Sequence, residues 1–162
     1  MPVPETSQTV PDFILKELRN STVYHLADMT ARAPTLVAFF KRSCMTSKLT
    51  LPFIERLHQN YPALQTLGVS QDSAAETAEF AQATGLSFAV LLDEDWKVSA
   101  AYDLFTVPTV FLLDTNGIVK RVNMGWNKEH YTALSDEIAG LLGVTVVPLL
   151  NDADKVPAFR PG

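Results

Sequence analysis

The sequence predicts a single α/β domain with a central mixed sheet flanked by helices. Three observations lead there. Strand-like apolar runs alternate with helix-length stretches. Thr35-Leu36-Val37-Ala38-Phe39-Phe40 is a nearly continuous apolar run, as in a central strand buried on both faces. Asn116-Gly117 sits between two apolar runs, which marks a hairpin turn. The chain has 162 residues, the length of one domain with one sizeable core.

In chain order, Val10 to Leu26 reads as two short extended pieces around the polar turn Arg19-Asn20-Ser21, and Pro34 stops whatever precedes it. After the central strand, a helix is predicted from about Cys44 to Asn60. Leu49, Phe53, Leu57 and Tyr61 recur every fourth residue with Ile54 beside them, and Pro52 kinks the helix. Leu64 to Ser70 is the next strand. Ser73-Ala74-Ala75-Glu76 has capping-box spacing and opens a helix that Gly85 ends. Phe88 to Leu92 is a short strand, and Trp96 to Tyr102 a brief helix. Val107 to Asp114 and Ile118 to Met124 are the arms of the Asn116-Gly117 hairpin. The last helix runs from Lys128 to Leu142, with Tyr131, Leu134, Ile138 and Leu141 on one face, and Gly143 closes it. The domain is therefore 1–142 and a tail is 143–162, where Val144 to Leu150 is apolar and needs cover.

The composition is 47% hydrophobic and 19% charged, which is globular, and the net charge is −5. An acidic surface of this kind excludes a general nucleic-acid binder. No apolar run reaches the roughly 18–20 residues of a membrane span. Met1 to Pro11 has no basic or apolar signal region. With a single cysteine, Cys44, an internal disulfide cannot form, and neither a metal site nor an organic cofactor is implied. These features place the protein in the cytoplasm, with a periplasmic or other extracytoplasmic site as the alternative if a signal segment has been removed.

Chemistry concentrates at Phe39-Phe40-Lys41-Arg42-Ser43-Cys44-Met45-Thr46-Ser47, where a buried strand gives way to a helix. A helix N-terminus carries unpaired N–H groups and a partial positive charge, and both favour thiolate over thiol. Lys41, Arg42 and Lys48 place three cations within four residues of the sulfur. Such surroundings make a cysteine nucleophilic, although free cysteine is also often a buried, inert apolar residue.

With these residues in view, the chain resembles the thioredoxin superfamily, most of all its TlpA/ResA-type branch within the redoxin (AhpC/TSA) group. Val10-Pro11-Asp12-Phe13 with Val23 to Asp28 is similar to that branch's leading hairpin. Phe39 to Ser47 stands where its strand–CxxC–helix unit stands, and Pro52 matches its kinking proline. Val107-Pro108-Thr109 resembles its cis-proline motif, and Asp114 to Gly117 its hairpin turn. The resemblance spans about residues 10–142. It implies a thioredoxin-like three-layer fold with an N-terminal β-hairpin, and it places Val107-Pro108 opposite Cys44, with the Val107 backbone free to pair with an extended substrate.

The departures are equally informative. The second cysteine of the motif is Ser47, the preceding tryptophan is Ser43, and the acids handling protons correspond to Ala38 and Thr50. Ser47 is either a natural monothiol arrangement or a replacement that traps a mixed disulfide. A lone thiolate attacks a disulfide but needs an external thiol to release it, as in monothiol CxxS relatives that use glutathione. The function expected is therefore thiol–disulfide exchange at Cys44. Ser47 serves as hydroxyl neighbour, Lys41 and Arg42 as electrostatic support, and Val107, Pro108 and Thr109 as substrate-binding residues. The partner is a disulfide-containing protein or a glutathione-type thiol.

One alternative is a one-cysteine peroxidase, although the peroxiredoxin hydroxyl three residues before the cysteine is Lys41 here. The other is a redox-inactive module that keeps only the docking groove. His25, His58 and His130 match no ligand spacing. Asp93-Glu94-Asp95 reads as a solvated loop with a helix N-cap. Trp96 and Trp126 read as core or rim residues, and Met124-Gly125-Trp126 as a border of the cysteine site.

Overall fold

A computed structural model describes residues 2–162. Strand β3 (Thr35–Phe40) is buried along its entire length. It pairs in parallel with β4 (Gln65–Ser70), which pairs in parallel with β5 (Ala89–Leu92). On its other side β3 pairs antiparallel with β6 (Thr109–Leu113), and β6 with β7 (Val119–Met124). The sheet order is β5-β4-β3-β6-β7, with Ala38 held between Gly68 and Val110.

Period-two alternation along β3 divides the core in two. Leu36, Ala38 and Phe40 pack with apolar residues of α2 (Met45–Asn60), α3 (Ala74–Thr84) and α5 (Lys128–Leu142). Val37 and Phe39 pack with Phe13, Leu26 and Tyr102, on the side of α1 (Leu26–Arg32) and α4 (Lys97–Ala101). The result is the predicted three-layer, thioredoxin-like fold. Gly68 makes the first of these layers possible, because a Cβ there would stand 2.9 Å from Phe88 and 3.2 Å from Phe40.

The predicted N-terminal hairpin is present as β1 (Ile14–Lys16) and β2 (Val23–His25), antiparallel. The buried Glu17 closes its turn. Its carboxylate accepts from the amides of Arg19 and Asn20, while the Arg19 guanidinium donates to Phe88 O at 2.9 Å. An isolated bridge from Glu17 to Leu91 joins the hairpin to β5.

Two expectations change. Leu26–Arg32 forms the seven-residue helix α1 in a stretch where the sequence predicts no element after Leu26; it has no side-chain cap, and its buried residues are Leu26 and Thr30. Of the acidic run, Glu94 and Asp95 are exposed and the run caps a helix as expected, but Asp93 itself is not solvated. It is buried, and its carboxylate accepts from Val98 N (3.1 Å), Ser99 N (2.8 Å) and Ser99 Oγ (2.7 Å). Asp93 thereby satisfies the free amides of α4 from outside the helix, since the N-cap residue Trp96 contributes no side-chain bond. Asp93→Ala leaves three donors without an acceptor and is expected to lower unfolding free energy by about 2–3 kcal/mol in urea titrations.

Residues 143–162 run back across the domain. Gly143 adopts a left-handed cap after α5. Leu149 is buried in the α2/α5 layer. The Arg56 guanidinium donates to Asp154 Oδ2 at 2.8 Å and to Leu149 O at 2.8 Å. This guanidinium holds the Asp154 carboxyl below the usual carboxylate range. Strand β9 (Phe159–Arg160) then pairs antiparallel with β8 (Trp126–Asn127). Among the described residues no helix is long and apolar enough to cross a membrane.

Candidate functional site

Cys44 occupies the N-cap of α2. The chain leaves β3 at Phe40 and turns so that Cys44 N donates to Lys41 O (3.1 Å). It enters the helix with Lys48 N donating to Cys44 O (3.1 Å). The cap residue has extended backbone angles, φ −85° and ψ 118°. The side chain caps the helix, with Ser47 N donating to Sγ at 3.4 Å. The positive end of a 16-residue helix thus points at the one thiol of the chain, which is half-buried.

Opposite lies the turn before β6. The Val107–Pro108 peptide is cis, and the Cys44 thiol donates to Val107 O at 3.3 Å. Thr109 Oγ1 donates to Thr106 O (2.9 Å), bracing the turn. Gly125 N donates to Pro108 O (2.8 Å). The Met124-Gly125-Trp126 loop therefore borders the turn facing the cysteine. Gly125 has φ +65°, and a Cβ on it would stand 2.9 Å from Arg160 O.

Cys44, Val107 and Pro108 are brought together, as the resemblance implied. Ser47 also joins them, but through its amide. Its hydroxyl is fully buried and accepts from Lys41 N (3.3 Å) at the end of β3, while the amide alone reaches the sulfur. The cations expected as electrostatic support are engaged elsewhere. The Arg42 guanidinium turns to α3, 2.8 Å from Glu79 and 3.5 Å from Glu76, while Arg42 N donates to Asp72 Oδ2 at 2.7 Å. Lys41 Nζ lies 5.0 Å from the centre of the Trp96 ring, and Trp96 Nε1 donates to Gln71 O (2.9 Å). Acidic partners on α3 and an aromatic face thus hold Lys41 and Arg42 in other contacts, and backbone amides are the groups that point at Sγ.

No acid stands at the two positions noted in the sequence. Ala38 is core, and Thr50 is buried with its Oγ1 unpartnered. Tyr131, on α5, is neutral, because burial pushes its phenol well above its ordinary value. The three histidines have separate partners: the His25 ring meets Asp12, the His58 ring meets Phe88 edge-on, and His130 N is capped by Asn127. No group of three or more His, Cys, Asp or Glu among the described residues is arranged to hold a metal.

Sequence reasoning missed one participant. Thr46, buried inside the Cys-Met-Thr-Ser stretch, donates through Oγ1 to Pro161 O at 2.6 Å. A threonine two residues after the cysteine gives no sign of a partner 115 residues away.

The sequence profile described as the AhpC/TSA family matches residues 6–122. The chain is 29% identical over 120 residues to thiol-disulfide oxidoreductase ResA of Geobacillus kaustophilus, covering 72% of this chain and 68% of that protein. It is similar in structure to a Chlorobium tepidum protein ascribed as a thiol:disulfide interchange protein DsbE, with TM-score 0.78 and 23% identity over 86% of this chain and 99% of that one. It is also similar to peroxidoxin BcpB of Mycobacterium tuberculosis, with TM-score 0.70 and 20% identity over 88% of this chain and 99% of that one. At these identities the two structures speak for the shared fold alone.

Proposed function

The chain belongs to the AhpC/TSA family, and on that premise we propose that it is a thiol–disulfide oxidoreductase acting through the single nucleophile Cys44. The observation that carries this reading is the placement of Sγ, which accepts the Ser47 amide at the helix end and lies 3.3 Å from Val107 O. The likeness to ResA supports the same chemistry.

The Cys44 thiolate attacks one sulfur of a substrate disulfide. A bond forms between Sγ and that sulfur, the substrate S–S bond breaks, and the departing sulfur leaves as a thiolate that takes a proton from solvent. An external thiolate, of glutathione type or from a partner cysteine, then attacks the bound substrate sulfur. Sγ leaves as thiolate, and the new disulfide joins the external and substrate sulfurs. The net result is exchange with no gain of electrons. The Ser47 amide points at Sγ, and the substrate backbone lies along Val107-Pro108-Thr109 by strand addition. Ser47 contributes its amide, and Lys41 positions the Ser47 hydroxyl through its own N–H. The exchange unit includes the segment after residue 142, whose Leu149 is in the core and whose β9 pairs with β8, and it works on a disulfide-containing protein, in the cytoplasm or, if a signal segment has been removed, outside it.

The peroxidase alternative lacks its hydroxyl: Lys41 stands three residues before Cys44, and its amine is over Trp96. Mass spectrometry after separate exposure to oxidised glutathione and to peroxide tests the choice. A glutathione adduct on Cys44, removed by added thiol, is expected. Absence of the adduct, or catalytic consumption of peroxide, overturns the reading. Ser47→Cys supplies an internal resolving thiol and is expected to raise reduction of a protein disulfide by at least about tenfold. No gain points instead to a groove that only binds.

A further inference from the structure

We propose that residues 157–162 form an internal strap seated in the substrate groove beside Cys44, and that a polypeptide disulfide docks by displacing it. This inference rests on the exchange reading of the same site.

The strap's partners are the groups that frame the sulfur. Pro161 O accepts from Thr46 Oγ1, two residues beyond Cys44. Gly162 lies so close to the cis-proline turn that a Cβ on it would overlap Val107 O and Thr106 Oγ1. Val107 O is the same carbonyl that accepts the Cys44 thiol. On the far side Gly125 packs against Arg160 O and Gly162 N, and a side chain at 125 would meet both. The segment therefore threads between the α2 N-terminus, the proline turn and the loop after β7, in extended form and held by its backbone. Strand addition asks the same of an incoming substrate.

The way the strap is held makes it releasable. Its fixed points are Pro157 O on Trp126 Nε1 (2.7 Å), Ala158 O on Lys128 N (2.9 Å), the two-residue β8–β9 pairing and the Thr46 bond. Its side chains add little: residues 157–162 are exposed, and Phe159 is 61% exposed. A segment with few buried apolar contacts belongs to the low-stability end of a structure. Upstream, buried Leu149 and the Arg56–Asp154 pair keep the segment tethered after release. It therefore returns at high effective concentration and competes with any peptide. The partner this groove fits is an extended polypeptide with a small residue beside Val107, because the strap places glycine there.

The test uses the full chain. Amide hydrogen exchange at residues 158–162 is measured with and without an unstructured synthetic peptide whose cysteine is replaced by serine. The peptide is expected to deprotect the strap; unchanged protection at saturating peptide overturns the proposal. In a second measurement, Cys44 reacts with two thionitrobenzoate mixed disulfides, one on a peptide and one on free cysteine. Gly162→Val cannot seat and is expected to speed the peptide reaction about tenfold, as for a groove occupied about nine-tenths of the time, with the free-cysteine reaction changed less than about twofold. Equal peptide rates in wild type and variant overturn the strap while leaving exchange intact. Displacement of the strap with Cys44 inert to both probes supports the strap and overturns the exchange reading.

Discussion

Cys44→Ser is expected to reduce thiol–disulfide exchange to the uncatalysed background while leaving the fold intact. The chain holds no other sulfur nucleophile to substitute for this one. A serine hydroxyl at neutral pH is not ionised and does not attack a disulfide, so the mixed disulfide never forms. Serine is among the preferred N-cap residues, and its oxygen takes over the Ser47 amide that Sγ now accepts. Thermal or urea unfolding should therefore move by no more than about 1 kcal/mol, and in the direction of greater stability. Release of thionitrobenzoate from a mixed-disulfide probe reads the activity, and circular dichroism reads the fold. Exchange that persists in this variant shows that the chemistry lies elsewhere and removes the central claim.

Trp126→Ala is expected to cost about 3–5 kcal/mol, the range of an aromatic ring deleted from a closed core. The ring is fully buried, stacked on Tyr131 at 4.9 Å and tilted against Phe53 at 5.0 Å. It joins α2 and α5 just below the proline turn. Its Nε1 also holds Pro157, so the same change should free residues 157–162. Trp126→Phe separates the two effects. It keeps a ring in the stack but removes the donor, and is expected to cost about 1–2 kcal/mol while still deprotecting the strap in hydrogen exchange. A Trp126→Phe variant with full protection at 157–162 shows that the Nε1 bond does not anchor the segment.

The sequence made legible what local chemistry decides. The run Thr35 to Phe40 reads as a doubly buried strand, Ser73 with Glu76 opens a helix, and Gly85 and Gly143 take the left-handed caps that end helices. Cys44 at a strand–helix junction is likewise a local reading, and its N-cap geometry follows from it. What stayed hidden depends on partners distant in the chain. Arg42 and Lys41 read as cations near a thiol, but long flexible side chains go where an acid or an aromatic face offers more, here Glu79 and Trp96. Asp93 reads as one acid among three in a loop, and only the fold supplies the buried amides that single it out. The short helix α1 has no cap or periodicity to announce it and is held by tertiary contact. Thr46 and Gly162 carry no motif at all, and the bond from Thr46 to Pro161 O and the seating of Gly162 against Val107 are products of the whole topology.

The reacting sulfur is also a mechanical part of its own helix. Once Cys44 is joined to another sulfur, its lone pairs are a poorer acceptor for the Ser47 amide and its hydrogen no longer reaches Val107 O. On the exchange reading, each adduct is therefore expected to loosen the first turn of α2 and the cross-link to the opposite loop together, and its departure to restore them. A site built this way is expected to carry its own record of occupancy in the backbone, readable as faster amide exchange at Ser47 in the loaded form.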